Sequence, residues 1–365
     1  MNIVGRDLVI VESLSDEEEW KNFVASSSQG TFYHTLNWKR VLDKSFSFDT
    51  IYLVIRASNR DLVGVCPFII RKELKVIKVL DSLWESDYGG PLVKDGYAEP
   101  AMSALIDYLR RLACEKSITY AKIRFSDKNL SQYYSAVASR IDTSRGTMML
   151  DLQEKATDYI WNKVFSKKDA QRKYIRRFEQ AGYQIREGAL NSEDLNKFYI
   201  LYCNNMNYVG GLPHHLDFFE NTRIFLCPDN FNVLLAEKDG KAIGSLGFYM
   251  DKVTNTVYLA YLGLDRNLEN AFHTSHYLYW GALCWAGKEG YRYVSFGATS
   301  SDPHEVHHHL KSKFGAVFNQ DHIVYLVFNR KLFWAREMVA KIWRKAGTRL
   351  PSLVQRRLLE TAEAQ

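Results

Sequence analysis

Apolar and polar positions along the chain alternate in a way that predicts two copies of one hairpin. Four strand-like runs stand out, at residues 51–55, 62–70, 232–236 and 242–250. A short polar turn joins the members of each pair, which is typical of a β-hairpin. Each return strand carries a glycine near its start, Gly64 in the first half and Gly244 in the second.

The elements that follow the two hairpins also correspond. Apolar residues at helical spacing predict helices at 100–116 and 275–288, and strand-like runs follow at 118–125 and 291–298. The offset between the copies is 180 residues at the glycines and 173 residues at the last strands. An offset this steady indicates an internal duplication.

The repeated order of helix, hairpin, strand, helix and strand resembles a GNAT-type acyltransferase domain. It predicts an α/β fold with mixed sheets, built as a tandem duplication of two GNAT-like domains and followed by a basic C-terminal helix. The predicted boundaries are 1–157 for the N-terminal domain, 158–330 for the C-terminal domain and 331–365 for a basic amphipathic tail.

Composition fits a folded cytoplasmic protein. Hydrophobic residues make up 46% of the 365 residues and charged residues 25%, which is far from a disordered composition. The start of the chain lacks the features of a signal peptide, and no apolar run is long enough to predict a membrane span. The five cysteines are scattered without CxxC spacing, so we expect reduced, mostly buried thiols.

The net charge of +6 is concentrated at the C-terminus, where residues 330–365 hold nine Lys or Arg and three Glu. Three interpretations stay open. The tail forms a solvated amphipathic helix packed on the second domain, or it binds anionic lipids at the inner membrane face, or it binds the phosphates of a tRNA. In the helix at 332–347 we expect Phe333, Met338 and Ile342 to share one side.

Six motifs in order resemble the FemAB peptidyltransferase family and related GNAT-like N-acyltransferases. They are Trp38–Val41, Tyr88–Pro91, Arg172–Gly182, Gly211–Pro213 with Phe218 and Phe219, Phe296 with Gly297, and Leu310–Gly315. Each motif alone is weak, but their order and spacing together extend from about residue 30 to residue 330. Arg172 lies in a basic helix predicted at 167–180.

This resemblance implies transfer of a tRNA-borne aminoacyl group, or of another acyl group, to an amine. The acceptor would be a lipid-linked or nucleotide-linked precursor of the cell envelope, peptidoglycan or exopolysaccharide. The donor would be a co-substrate, so no cofactor is expected. A CoA- or carrier-dependent acyltransferase and a non-enzymatic envelope-assembly protein are the alternatives.

The resemblance also implies roles for particular residues. Lys311 would act at the donor end, where its ammonium stabilises the oxyanion or holds a phosphate. Arg172 would bind acidic groups of the acceptor, since its planar fork suits phosphate and carboxylate. Tyr88 and Tyr261 would line a groove between the domains. The other implied substrate contacts are Trp38, Lys39, Phe296 and Gly297.

Three features limit the transfer of these roles. Leu310 stands where the family has phenylalanine, and the long coiled-coil arm of some members is absent. No Q/R-x-x-G-x-G/A loop for a pyrophosphate follows the strand-like run 257–263, which disfavours acetyl-CoA as the donor. The general base is undecided among Asp87, His276 and Asp302.

A competing motif is HEVHH at 304–308, which matches the H-E-x-x-H pattern of zinc proteases. If Asp302 began a helix as its N-cap, His304 and His308 would share one face of that helix. The next histidine, His309, lies off that face, and His322 lies in a strand-like run. A zinc hydrolase is therefore a minor alternative, and no metal is expected.

Overall fold

The structure is a computed structural model that describes residues 9–74, 76–125, 128–135, 137–165, 170–189 and 191–347. The side chains of 128, 270, 271 and 343–347 are excluded from that description. Its chain contacts divide into two compact units. The first contains the chain up to Thr143 together with the chain from Asp321 onwards, and the second contains Ser144–Gln320.

The first unit begins with eleven helices and strands, apart from short 3₁₀ turns at Phe32–His34 and Gln132–Tyr134. In chain order they are β1 (Val9–Ser13), α1 (Glu17–Ser26), α2 (Leu36–Ser45), β2 (Asp49–Ala57), β3 (Leu62–Glu73), β4 (Ile77–Asp81), β5 (Leu92–Val93), α3 (Ala98–Lys116), β6 (Tyr120–Arg124), α4 (Lys128–Ser131) and β7 (Arg140–Asp142).

The second unit follows, and a π-helical turn at Ile160–Val164 extends its first short helix. Its elements are β8 (Arg145–Asp151), α5 (Thr157–Tyr159), α6 (Gln171–Gln180), β9 (Gln184–Glu187), α7 (Ser192–Val209), α8 (Leu216–Leu226), β10 (Phe231–Lys238), β11 (Lys241–Asp251), β12 (Thr256–Leu264), α9 (Arg266–Phe272), α10 (Thr274–Lys288), β13 (Tyr293–Ser300), α11 (Val306–Ser312) and β14 (Val317–Gln320). The chain then returns to the first unit with β15 (Ile323–Val327) and α12 (Arg330–Gly347).

Each unit is built on one mixed sheet, and the two sheets have the same plan. The strand order is β1-β2-β3-β4-β6-β15-β7 in the first unit, with β5 beside β3, and β9-β10-β11-β12-β13-β8-β14 in the second. The fourth and fifth strands are parallel in both sheets, β4 with β6 and β12 with β13, whereas the other described pairs are antiparallel. The predicted tandem fold of two GNAT-like domains is confirmed.

The two hairpins share an irregularity that supports the duplication. In the first hairpin Val63 is an extra residue immediately before Gly64, and in the second Ile243 is an extra residue immediately before Gly244. Neither glycine has room for a side chain. A Cβ on Gly64 would lie 3.0 Å from the Leu92 oxygen, and one on Gly244 would lie 2.4 Å from a methyl carbon of Thr274.

The sixth and seventh strands explain where the units divide. β8 and β14 pair with each other in the second sheet, and β7 and β15 pair in the first. The chain therefore changes sheet between β7 and β8 and again between β14 and β15. The compact units divide after residues 143 and 320, whereas the sequence predicted divisions at 157/158 and 330/331.

Helix α3 packs Leu105, Leu109 and Leu112 into the core of the first unit, as their helical spacing predicts. Among the described residues, no helix combines the length and apolar character needed to cross a bilayer. All five cysteines are free thiols, but only Cys66 is buried, so the expectation of mostly buried thiols is wrong.

Candidate active site

In the second unit, the two parallel strands form a fork. β12 and β13 pair through Thr256–Tyr258 and Tyr293–Ser295, and then separate. Beyond that point β12 continues beside β11 and β13 continues beside β8. The two strands no longer pair with each other there, and the Leu262 carbonyl oxygen of β12 accepts instead from the Asn205 side chain (2.7 Å). The carboxyl ends of parallel strands are the usual ligand site in open α/β sheets.

Both strands bulge where they separate. On β12, Ala260 is an extra residue opposite the junction of Gly247 and Phe248. On β13, Phe296 and Gly297 together lie opposite a single residue of β8. Gly297 has a φ of +72°, a left-handed conformation that favours glycine. The β13 bulge therefore depends on the glycine of the FG motif.

Lys311 reaches this bulge from α11. Its side chain is buried, with the residue 8% exposed, and its ammonium donates hydrogen bonds to the carbonyl oxygens of Gly297 (3.2 Å) and Ala298 (2.9 Å). Carbonyl partners suit a cation because a buried ammonium needs compensating dipoles. The structure thus brings together three of the implied site residues, Lys311, Gly297 and the adjoining Phe296.

An aromatic cluster adjoins the bulge. The Phe296 ring lies 5.7 Å from that of Phe314, and Phe314 lies 5.6 Å from Phe165. Trp161 and Trp280 extend the cluster, with their ring centroids 5.2 Å apart. Trp161 belongs to the π-helical turn, a conformation often found at functional sites. Neither tryptophan belongs to the six sequence motifs, although Trp280 lies in the helix predicted at 275–288.

Arg172 lies at the edge of this aromatic cluster, at the start of α6. Its Nε–H donates to the Trp161 carbonyl oxygen (2.7 Å), and its guanidinium lies 5.9 Å from the centroid of a Trp161 ring. The side chain is half-buried, whereas that of Arg176, one turn later, is exposed. α6 begins at Gln171, and residues 167–169 of the predicted 167–180 helix lie outside the described residues.

Tyr261 belongs to a different aromatic cluster of the second unit. It is 7% exposed and its hydroxyl lies 3.0 Å from that of Tyr249. Its ring packs edge-on against four further rings, those of Tyr202, His214, Phe218 and Phe219. Phe218 and Phe219, the phenylalanine pair of the motif, therefore pack in the core beside Tyr261.

The candidate bases lie in different surroundings. His276 is largely buried beside Tyr174 and Phe314, and burial together with the nearby His273 and Lys313 lowers its pKa to about 4. It is therefore neutral at pH 7 and a weak proton acceptor. Asp302 lies exposed in the turn before α11, where its carboxylate accepts from the His304 N–H. Asp87 is half-buried in the first unit.

The HEVHH segment has a different geometry from the one a zinc protease needs. α11 begins at Val306 with Glu305 as its N-cap, so Asp302 is not the cap and His304 precedes the helix. The Glu305 carboxylate accepts from the His308 N–H (3.0 Å) and from the Thr299 hydroxyl. The required shared face of His304 and His308 is not formed. No group of three or more possible metal ligands occurs among the described His, Cys, Asp and Glu residues.

In the first unit, the chain itself packs against the corresponding fork. β4 ends at Asp81, its last pair with β6, and a loop follows. A Cβ on Gly90 of this loop would lie 2.3 Å from the Arg124 oxygen at the end of β6. The loop is held by Arg124, which donates to the Ser86 oxygen (2.5 Å), and by His34, whose Nε2 lies 3.0 Å from the Gly90 oxygen. The YGGP motif is therefore a structural feature of this loop.

The remaining implied residues also lie in the first unit. Trp38 is completely buried and its ring packs edge-on against Phe32 and Tyr33. Lys39 is partly exposed and forms an ion pair with Asp43 one helical turn later. Tyr88 is half-buried. Of these three side chains, Lys39 and Tyr88 are the ones with surface available to a ligand.

No protein-family model and no curated protein sequence matches the chain. Several solved structures match the chain. FemX matches with a TM-score of 0.66 at 15% identity, covering 89% of this chain and 99% of FemX. A tandem GNAT protein of clavulanic acid biosynthesis matches with a TM-score of 0.57 at 13% identity, covering 87% of this chain and 96% of that protein.

A third structure, L-PGS from Bacillus licheniformis, matches with a TM-score of 0.56 at 13% identity and covers 93% of this chain and 98% of that one. At these identities the likeness shows the fold. The resemblance that the motifs indicated is therefore confirmed as a shared tandem GNAT-like architecture.

Proposed function

We propose that the second unit transfers an acyl or aminoacyl group to an amine acceptor at the fork between β12 and β13. The observation that carries this proposal is the position of the Lys311 ammonium, which is buried and held on the Gly297 and Ala298 carbonyls where the strands separate. The tandem fold shared with FemX and with a tandem GNAT protein supports the reaction class.

The chemistry follows from this charge. A neutral amine attacks the carbonyl carbon of an activated ester or thioester, and the carbonyl oxygen becomes an oxyanion. The Lys311 ammonium stabilises that oxyanion, and a fixed cation in a water-poor site is worth far more than one in water. The amine loses its proton to a base, and the tetrahedral intermediate then expels the alkoxide or thiolate, which takes up that proton and leaves as the alcohol or thiol. Of the three candidate bases, the neutral imidazole of His276 and the carboxylate of Asp302 lie in the second unit.

The fork is more compatible with a donor that is a tRNA ester or a carrier-bound acyl group than with an acyl-CoA. A CoA pyrophosphate would need free backbone N–H groups after β12, where α9 begins. The carboxylate of Asp265 already accepts from the Asn267 N–H at that helix start (3.0 Å). A fixed carboxylate repels a pyrophosphate, so this end of the fork disfavours CoA.

The acceptor is an amine carried on an acidic, envelope-type precursor. Arg172 is suited to a phosphate or carboxylate, since its Nε–H bond to the Trp161 carbonyl orients the guanidinium plane at the edge of the aromatic cluster. In the first unit, Lys39 and Tyr88 are the implied contacts that keep some exposed surface, and buried Trp38 supports the helix that carries Lys39.

The test incubates the purified chain with labelled aminoacyl-tRNA or, separately, with acyl-CoA, together with lipid-linked and nucleotide-linked amines. Transfer from charged tRNA that ribonuclease abolishes supports the tRNA donor, and transfer from the thioester alone supports the CoA or carrier alternative. If neither donor supports transfer, and Lys311→Met with Arg172→Ala leaves the cellular phenotype intact, the chain is a non-catalytic assembly protein.

A further inference from the structure

Helix α12 packs one face onto the sheet of the first unit. Phe333 is buried, with its ring 5.2 Å from Tyr120, and the Nε–H of Arg336 donates to the Glu73 carboxylate (2.9 Å). Glu337 is also buried and pairs with Arg140 (3.2 Å). The face formed by Phe333, Arg336 and Glu337 therefore packs against the first unit and is occupied by contacts within it.

The opposite face of α12 is apolar and exposed. Trp334, Met338 and Ile342 are 61%, 63% and 61% exposed. Their spacing of four residues places them in one row along the helix, about 12 Å long at 1.5 Å per residue. The expectation that Phe333 shares a side with Met338 and Ile342 is wrong, because Phe333 faces the sheet. Single exposed apolar residues are ordinary, but a row of three large ones on one helix marks an interaction surface.

The charges around this outward row are positive. Arg330, Lys331 and Lys341 are exposed, and Glu337, the only acid between residues 330 and 359 of the sequence, faces the sheet. The sequence beyond Lys341 adds Arg344, Lys345, Arg349, Arg356 and Arg357. The side chains of Arg344 and Lys345 and the whole of Arg349, Arg356 and Arg357 lie outside the described part of the chain. An apolar row flanked by cations is complementary to a surface that has an anionic outer layer and an apolar layer directly under it.

We infer that α12 docks its Trp334, Met338 and Ile342 row into the surface of an anionic lipid bilayer, with the helix axis parallel to the membrane plane. Apolar side chains are stabilised where they leave water for the acyl boundary, and cations are stabilised by the headgroups. RNA phosphates would attract the same cations but would leave Met338 and Ile342 in water. The apolar row therefore favours a membrane over a nucleic acid.

The experiment is co-sedimentation of the full chain with vesicles of phosphatidylcholine containing phosphatidylglycerol, compared with vesicles of phosphatidylcholine alone. The chain binds the anionic vesicles, and the variant W334S/M338S/I342S loses binding at least about tenfold, since burial of each side chain contributes on the order of 1 kcal/mol or more. The control variant I200S/Y208S/I224S removes three equally exposed apolar residues of the second unit and keeps binding.

Thermal unfolding without lipid checks that the α12 variant is folded, which is expected because its three side chains contact water in the isolated protein. Three results would overturn the inference: equal sedimentation of the α12 and control variants, absence of vesicle binding by the unaltered chain, or a lipid-free dimer that the α12 substitutions dissociate. Loss of tRNA binding in the α12 variant with unchanged vesicle binding would identify a nucleic-acid surface instead. Transfer to a nucleotide-linked amine stays unchanged, which separates this test from that of the catalytic proposal.

Discussion

The ammonium of Lys311 and the carbonyl oxygen of Gly297 are 3.2 Å apart, and this hydrogen bond joins α11 to the bulge where β13 leaves β12. Two features of the chain create it. The left-handed backbone at Gly297 turns its carbonyl out of the regular strand pattern, and the Glu305 cap sets where α11 starts and so where Lys311 points. The placement of the charge therefore depends on the bulge as much as on the lysine.

Gly297→Ala is expected to reduce transfer activity. Its positive φ makes a side chain unfavourable by about 1–2 kcal/mol, and relief of that strain would move the carbonyl that holds Lys311. Gly240→Ala is the matched control, because Gly240 has a φ of +76° in the β10–β11 turn with open space around it. We expect similar losses in unfolding free energy for both variants, measured by denaturant titration, but lower kcat only for Gly297→Ala. Equal kcat values would show that the bulge is purely structural.

Arg172→Gln is expected to raise the KM for the acceptor about 10- to 100-fold, with a smaller effect on kcat, because a charge-assisted bond to an acidic group contributes about 1.5–3 kcal/mol. Arg176→Gln serves as the control, since the Arg176 guanidinium lies at a similar distance, 5.6 Å, from a Trp161 ring but the residue is exposed. Steady-state kinetics with varied acceptor distinguish the two. A fall in kcat alone, or the same KM change in both variants, would contradict acceptor binding by Arg172.

The first unit is expected to lose stability in acid because of His34. Burial lowers its pKa from about 6.5 to about 4, and the Thr31 N–H donates to its Nδ1, which fits the neutral ring with a proton on Nε2. Between these pKa values the unfolded chain binds more protons. The contribution of His34 is therefore complete above about pH 6.5 and falls as the pH decreases towards 4, by up to about 3 kcal/mol.

Unfolding free energies measured from pH 7 to pH 4 check this expectation. His34→Gln, which cannot titrate in this range, flattens part of the pH dependence, and His304→Gln, at an exposed site, leaves it unchanged. The account of His34 fails if its replacement leaves the slope between pH 6.5 and 4 the same as that of the unaltered chain.

The sequence predicted the repeated hairpins well because local signals specify them. Gly64 and Gly244 occupy matching positions in the two hairpins, and at each of them an added Cβ would make a close contact with a neighbouring residue. The helices at 98–116 and 274–288 were likewise predicted within two residues, because in each of them the apolar residues recur at helical spacing and pack on the core of its own unit.

Other features depend on contacts that the sequence does not encode locally. The pairing of β8 with β13 and of β15 with β6 joins strands that are more than 100 residues apart, so neither run contains a local signal for the sheet it enters. The start of α11 was predicted at Asp302, but the Glu305 carboxylate can reach both the His308 N–H and the Thr299 hydroxyl, and this pair of bonds places the cap three residues later. The proximity of Lys311 to Gly297 was expected only through the family resemblance.

The most direct test of the proposed reaction is the kcat of Lys311→Met in whichever donor and acceptor pair supports transfer, measured beside Lys241→Met. Lys241 is exposed at the start of β11, where it lies opposite Lys238 and not at the β13 bulge, so its replacement removes a similar charge without removing the bonds of Lys311. Loss of oxyanion stabilisation predicts a fall in kcat of about 10²- to 10³-fold for Lys311→Met, with circular dichroism and KM for the acceptor nearly unchanged. A folded Lys311→Met protein with the same kcat as Lys241→Met would contradict the account.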